Sequence, residues 1–392
     1  MHIHTVKKGE TVYSIANQYG VSPSKIIENN GLDNKNNLSV GRELLILTPT
    51  RTYTVKSGDT LAGIAMRFGI KKRELLRSNP SHTVQEKVMA GELLAIKNES
   101  ERYGTSVANG YFYHGCTIEK LKNALPYLTY VTVASVINTE KGLKTIFDDK
   151  KIIEHINQNG KIPLLRIYDT SDGAYVTDKS VAEEFSEKMI KHAKSKGYLG
   201  IVLSAFRATE KDAGAFGEFI ISLRKKMIGS DLVLFTEIDE TSPSTAADYA
   251  DGNILTYDKI SCKNIPSFEN GEKKVFTDFA NKCESTKVFI EIPSLAFATD
   301  KYLALDEVYK KAWDRGLEIK QDEERLISYI QDGSSTVIFE SMTNLAKKLE
   351  LISELGYMGI SFDIMRVPIS ALMMYNCFFK TVSFSGHYYF ES

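Results

Sequence analysis

The sequence predicts two βααβ modules of α+β type in tandem, followed by a (β/α)8 TIM-type barrel that carries an α+β insertion. Three observations lead there. A set of short blocks near the N-terminus recurs once, in the same order. After residue 105, β-rich apolar runs alternate with amphipathic helical segments. The gap before the last of those runs is wide enough to hold an extra α+β piece.

The repeat comes first along the chain. His4-Thr5-Val6-Lys7-Lys8-Gly9-Glu10-Thr11-Val12 returns as Tyr53-Thr54-Val55-Lys56-Ser57-Gly58-Asp59-Thr60-Leu61. Ile15–Val21 matches Ile64–Ile70, Ile27–Asn30 matches Leu76–Asn79, and Val40–Ile46 matches Ala90–Ile96. The spacing is constant through the first three blocks and slips by one residue at the fourth, so an insertion falls in the loop before the final strand. Each copy reads strand, helix, helix, strand. Thr11 and Thr60 stand where a helix needs an N-cap, ahead of apolar residues at helical spacing. Gly20 and Gly69 suit the left-handed position that ends that helix. Ser22-Pro23 supplies a cap and a first-turn proline for the second helix of the first copy.

These blocks resemble the LysM module over residues 4–47 and 53–96. The resemblance implies a shallow groove that grips glycan N-acetyl groups between the loop after the first strand and the loop before the last. Carried onto this chain, those loops are Gly9-Glu10-Thr11-Val12 with Asn30-Gly31-Leu32, and Gly58-Asp59-Thr60-Leu61 with Asn79-Pro80.

Eight strands are expected in the second part: Ala108–Tyr113, Tyr130–Val136, Ile162–Ile167, Leu199–Phe206, Leu232–Ile238, Gly252–Leu255, Lys287–Ile292 and Met358–Phe362. Helical segments such as Val181–Lys196 and Ala213–Met227 separate most of them. The domains expected are 1–48, 52–97 and 106–392, with the insertion at about 302–340.

Composition bounds the function. The 392 residues carry 49 basic and 50 acidic side chains, so no global field draws the chain to nucleic acid or an anionic membrane. No run approaches the roughly 18 unbroken apolar residues of a membrane span, and Met1–Ala16, with no basic segment ahead of an apolar run, is not expected to act as a secretory leader. Cys116, Cys262, Cys283 and Cys377 have neither metal-site spacing nor a C-x-x-C pair and read as reduced thiols. No cofactor and no metal are expected, and no protein partner is named by any motif.

With LysM modules in front, the barrel resembles the family-18 glycoside hydrolases, in particular the LysM-bearing N-acetylglucosaminidases of spore-forming bacteria. Leu255-Thr256-Tyr257-Asp258 is similar to the family's M-T-Y-D segment, whose tyrosine binds the substrate acetamide, and Gly359-Ile360-Ser361-Phe362 is similar to its G-I-S-Y strand. Tyr257, Asp258 and Tyr113 are therefore the candidate sugar contacts in the barrel. The catalytic strand departs from the pattern. Where the family has D-G-x-x-x-D-x-E, this chain has Leu199-Gly200-Ile201-Val202-Leu203-Ser204-Ala205-Phe206. Ser204 replaces the acetamide-orienting Asp and Phe206 the acid Glu. A phenyl ring donates no proton, and a hydroxyl lacks the charge that stabilises the oxazolinium-like intermediate.

Four other carboxylates stand near strand ends, Glu237, Asp239, Glu291 and Asp363, and Glu237, Glu291 and Asp363 are the candidates for a substitute acid. Glu237 and Glu291 lie in apolar runs, where pairing with a cation such as Arg166 or Arg207 offsets burial. Two readings result. In the first, the protein binds peptidoglycan or chitin-type glycan and its glycosidase-like barrel is inactive. In the alternative, it is an active N-acetylglucosaminidase with one of these residues as a substitute acid. The resemblance places it at the spore coat or cortex surface, or in the mother-cell cytoplasm.

Overall fold

The computed structural model describes residues 1–32, 38–100, 102–170, 176, 178–204, 213–239, 244–258, 264–298 and 301–382. Phe206, with Ala205 and Arg207 beside it, lies outside the described residues, as does Cys262.

In the first module the strand His2–Thr5 pairs antiparallel with Glu43–Ile46, and the helices Val12–Tyr19 and Pro23–Asn30 pack between them. The Thr11 hydroxyl accepts from the Ser14 amide at 3.1 Å while the Ser14 hydroxyl accepts from the Thr11 amide at 2.9 Å, a reciprocal cap. Gly20 ends the helix at φ +65°, where a side chain would be strained. Ser22 stands at the next cap position, but its hydroxyl bonds Ser24 rather than the helix backbone, so Pro23 carries that helix start. Val6, Val12, Ile15, Ile26, Leu44 and Ile46 close a small core.

The second module repeats this plan with strands Pro49–Thr54 and Leu93–Asn98 and helices Leu61–Arg67 and Lys72–Ser78. Thr60 caps Gly63 at 3.1 Å. Its own core holds Val55, Leu61, Ile64, Leu75, Leu94 and Ile96.

Eight parallel strands then close into a barrel: Thr105–Phe112, Tyr130–Thr139, Ile162–Asp169, Gly200–Ser204, Val233–Ile238, Gly252–Leu255, Val288–Ile292 and Gly359–Asp363. Pairing of the eighth with the first, and the first with the second, completes the ring. Period-2 alternation sorts the side chains into two layers. Val107, Tyr111, Tyr130, Leu164, Val202 and Phe235 fill the interior, whereas Ile201, Leu203 and Leu234 belong to the larger core under the helices. Val202 faces inward, so Ser204, two residues on, shares its face.

Between the seventh and eighth strands lies a five-stranded antiparallel sheet, Leu295–Ala298, Lys301–Ala304, Lys320–Asp322, Ile327–Asp332 and Ser335–Glu340, with the helix Leu305–Asp314 on it. Its first strand begins at Leu295, earlier than residue 302, because Leu-Ala-Phe-Ala turns straight out of the seventh barrel strand into a hairpin. Lys348, fully buried on the helix Met342–Glu354, ties this piece to the barrel through Glu272 at 2.9 Å and Glu340 at 2.5 Å.

The first module does not hang on a tether. The Ile319 amide donates to the Val40 carbonyl at 2.8 Å, and Gln321 donates to the Gly41 carbonyl at 3.0 Å. Arg42 lies 4.0 Å above the Tyr309 ring. Glu43 accepts the Met342 amide at 2.5 Å and the Thr343 hydroxyl at 2.7 Å, capping a barrel helix from another module. The second module is joined to the first by Lys25–Asn79 and Glu28–Ser81, and to the barrel by Arg77 on the Pro126 carbonyl.

Candidate functional site

The glycan-loop residues divide by exposure. Gly9, Thr11, Gly31, Gly58 and Thr60 are exposed, and Glu10 and Asp59 are partly so. Val12, Leu32, Leu61, Asn30, Asn79 and Pro80 are buried. Glu10 accepts from the Lys7 amide at 2.7 Å and bonds His4 at 2.9 Å; Asp59, its counterpart, accepts from Lys56 at 2.8 Å and from the Tyr53 hydroxyl at 2.7 Å. The Lys7 amide first, and the Tyr53 hydroxyl first in the second copy, hold these carboxyls below the usual range. Both acids pin the turn that shapes the loop.

Asn30 and Asn79 are also counterparts. Asn30 donates to the Ile26 and Leu45 carbonyls and accepts from the Leu45 amide at 2.7 Å. Asn79 repeats this on Leu75 and Ala95, at 2.8 and 2.9 Å. Each amide stitches the end of the second helix to the last strand. Both side chains, expected in the glycan loops, are buried and spent on these backbone bonds.

At the C-terminal end of the barrel, residues of six strands meet: Tyr111, Arg166, Ser204, Glu237, Glu291 and Asp363. Glu237 is 3% exposed. Arg166 donates to it twice, Nε to Oε1 at 2.6 Å and Nη2 to Oε2 at 2.8 Å, and the Tyr111 hydroxyl donates to Oε1 at 2.7 Å. Burial opposes the charge on Arg166, but Glu237 holds its guanidinium well above the ordinary value. Ser204 pairs in register with Glu237 on the neighbouring strand. Ser204, expected at the position of the orienting Asp, therefore sits beside a carboxylate already engaged on both oxygens.

Glu291 differs. It is partly exposed and accepts one hydrogen bond, from the Thr256 hydroxyl at 2.6 Å. Burial, above all, pushes its carboxyl up to about 7, with the Glu237 charge adding to the effect. It lines a mouth pocket of about 450 Å³ together with Tyr113, His114, Tyr257, Asp258, Tyr302 and Asp363. Asp363 accepts the Met365 amide at 2.8 Å and pairs with Arg366, so it shapes the turn after the last strand. Tyr257, Asp258 and Tyr113 are thus gathered in one pocket, with Tyr302 from the inserted sheet bonded to Asp258. Reading by sequence missed His114, Tyr302 and Arg366. Only a long-range fold brings Tyr302 there, and no local pattern announces it.

Among the described residues no group of three or more His, Cys, Asp or Glu could hold a metal ion, and no helix is long and apolar enough to cross a membrane.

Fold and pocket define the class: a closed barrel of eight parallel strands with a pocket at its C-terminal mouth, preceded by two βααβ modules. The LysM domain family matches residues 4–47 and 53–97, so the chain carries two LysM domains. It is homologous to the cortical fragment-lytic enzyme of Bacillus anthracis, 31% identical over 258 residues. That match covers 62% of this chain and 59% of the relative, so the chain spans under two thirds of that protein's length. The fold is that of the spore cortex-lytic enzyme SleL of Bacillus megaterium QM B1551, with a TM-score of 0.76 at 19% identity over 98% of this chain and 99% of that one. A class V chitinase from Nicotiana tobaccum shares the barrel, with a TM-score of 0.60 at 12% identity over 70% of this chain and 98% of the chitinase.

Proposed function

We propose that this protein binds N-acetylglucosamine-containing glycan, spore cortex peptidoglycan first among such polymers, and that its barrel does not hydrolyse it by acetamide-assisted chemistry. Residues 1–48 and 52–97 are the glycan-holding units on this reading, and 106–392 presents the mouth pocket to the same polymer. A spore coat or cortex-surface location accords with the relationship to cortex-lytic proteins.

One observation carries the inactive barrel. Where the reaction needs a carboxylate to orient the acetamide, the strand offers Ser204, and the neighbouring Glu237 is locked as an acceptor by Arg166 and Tyr111. An oxocarbenium-like transition state needs a proton for the leaving oxygen and a countercharge for the acetamide. Neither group is in a state to supply it.

A second reading has its own observation. Glu291 is a carboxyl raised to about 7 in the mouth pocket, which suits a general acid at neutral pH. Retention of the full chain on insoluble peptidoglycan, combined with release of reducing ends, separates the two. Retention without release supports the first. Release that Glu291→Gln abolishes, with retention unchanged, supports the second. Retention that survives replacement of the Gly58–Leu61 loop and the Gly9–Val12 loop together removes the LysM basis of the reading.

A further inference from the structure

A second cavity of about 740 Å³ lies between the first LysM domain, the second, and the barrel. One wall is the end of the first module's second helix with Asn30, Gly31 and Leu32, and another is Pro80, Val84 and Gln85 of the second module. Barrel residues Lys120 and Asn123 form a third. Ile292, Pro293, Ser294, Leu295 and Arg366 line both this cleft and the mouth pocket. The cleft lined by the Asn30–Leu32 loop of the first LysM domain thus shares a wall with the barrel mouth.

The lining is mixed in the manner of sugar sites. Hydroxyl and amide groups (Ser24, Gln85, Asn123, Ser294) alternate with apolar strips such as Ile27 and Leu295. Three of its acids are already bound within the protein: Glu28 by Lys25 and Ser81, Glu43 by Met342 and Thr343, Glu340 by Lys348. Glu119 and Asp306 also line the cleft, as do Arg42, Lys120 and Arg366, so it carries no excess of negative charge and suits an amphipathic polymer of low charge. The width is fixed, because Ile319 and Gln321 clamp Val40 and Gly41 and leave the first module no hinge there. The volume falls in the roughly 300–1,000 Å³ range of formed ligand sites.

We infer that the cleft is a bridging subsite for a single N-acetylhexosamine strand, running from the first LysM loop past Ile292–Leu295 to the barrel mouth. The inference rests on the glycan-binding reading above. It makes the module and the barrel one composite surface that reads a long strand in a fixed register.

The test is affinity against strand length, using the full chain and chito-oligosaccharides from the disaccharide to the octasaccharide. Wild-type affinity rises from the shortest to the longest, because each added contact is intramolecular. Filling the cleft with Gln85→Trp and Lys120→Trp together lowers octasaccharide affinity at least about tenfold and leaves the disaccharide unchanged. If the pair fails to melt cooperatively, each single substitution is used, with the same expected sign. Length-dependent wild-type binding that every folded variant retains overturns the bridging subsite and leaves the glycan reading standing. Absence of wild-type binding at all lengths overturns the bridging subsite, and if insoluble peptidoglycan also fails to retain the protein the glycan reading falls with it.

Discussion

Arg166 grips Glu237 through two hydrogen bonds, 2.6 and 2.8 Å long, inside the barrel and one strand away from Ser204. Removing one partner of such a pair strands the other charge without water. Arg166→Met is expected to lower unfolding free energy by about 3–5 kcal/mol. The double change Arg166→Met with Glu237→Gln costs less, because no buried charge is left unpaired. Denaturant titration of the two variants checks the order. Equal losses would contradict the clamp.

The docking of the first LysM domain turns on Gly41. A Cβ there would lie 1.7 Å from the Ile319 carbonyl oxygen, and the residue holds φ +82°. Gly9 has nearly the same φ, +85°, but open space around it. Gly9→Ala is expected to cost about 1 kcal/mol from backbone strain alone. Gly41→Ala must in addition displace Ile319, so it exposes the Val40–Gly41 segment to protease while Gly9→Ala does not. Limited proteolysis followed by mass spectrometry distinguishes them.

Glu43 caps the helix Met342–Glu354 across the same interface. Glu43→Ala removes the acceptor for the Met342 amide and the Thr343 hydroxyl and is expected to cost about 1–2 kcal/mol. Hydrogen exchange should quicken at the Met342 and Thr343 amides and stay unchanged at Asn344, which Ser341 caps, and at the far end of the helix. Uniform change along the helix would mean the cap has no local role.

Glu291 makes stability depend on pH. Its carboxyl is raised to about 7 from an ordinary 4.5, so the folded chain holds that proton more tightly than the unfolded one. The contribution is complete below about pH 4.5 and is lost as pH rises through about 7. Glu291→Gln cannot ionise. The stability of the variant relative to wild type should therefore rise by about 1–3 kcal/mol from pH 4.5 to 7.5, with solvent access at the pocket setting the lower figure. A pH-independent difference would contradict the shift.

Much of this architecture was legible in the chain because its signals are local. The recurring blocks placed Thr11, Thr60 and Gly20 at helix ends, and the apolar runs placed all eight barrel strands to within a few residues. The wide gap marks the insertion at about 302–340, and a strand just ahead of it, Leu295–Ala298, belongs to the same sheet. Leu295–Ala298 has the same apolar pattern as the barrel strand before it, and only pairing with Lys301–Ala304 separates them. At the site, the expected pairing of Glu237 with Arg166 is present, whereas Glu291 has a hydroxyl from Thr256 as its near partner. The packing of LysM onto barrel was not legible. It depends on contacts such as Glu43–Thr343 and Gly41–Ile319, between segments far apart in sequence and ordinary in composition.

The most direct test of the central claim is the release of reducing ends by the full-length protein incubated with insoluble spore-cortex peptidoglycan. With Ser204 on the catalytic strand and Glu237 held by Arg166, no release above a buffer control is expected while the protein stays on the pellet. Sustained release by the wild-type chain would contradict the account and shift the proton donor to Glu291.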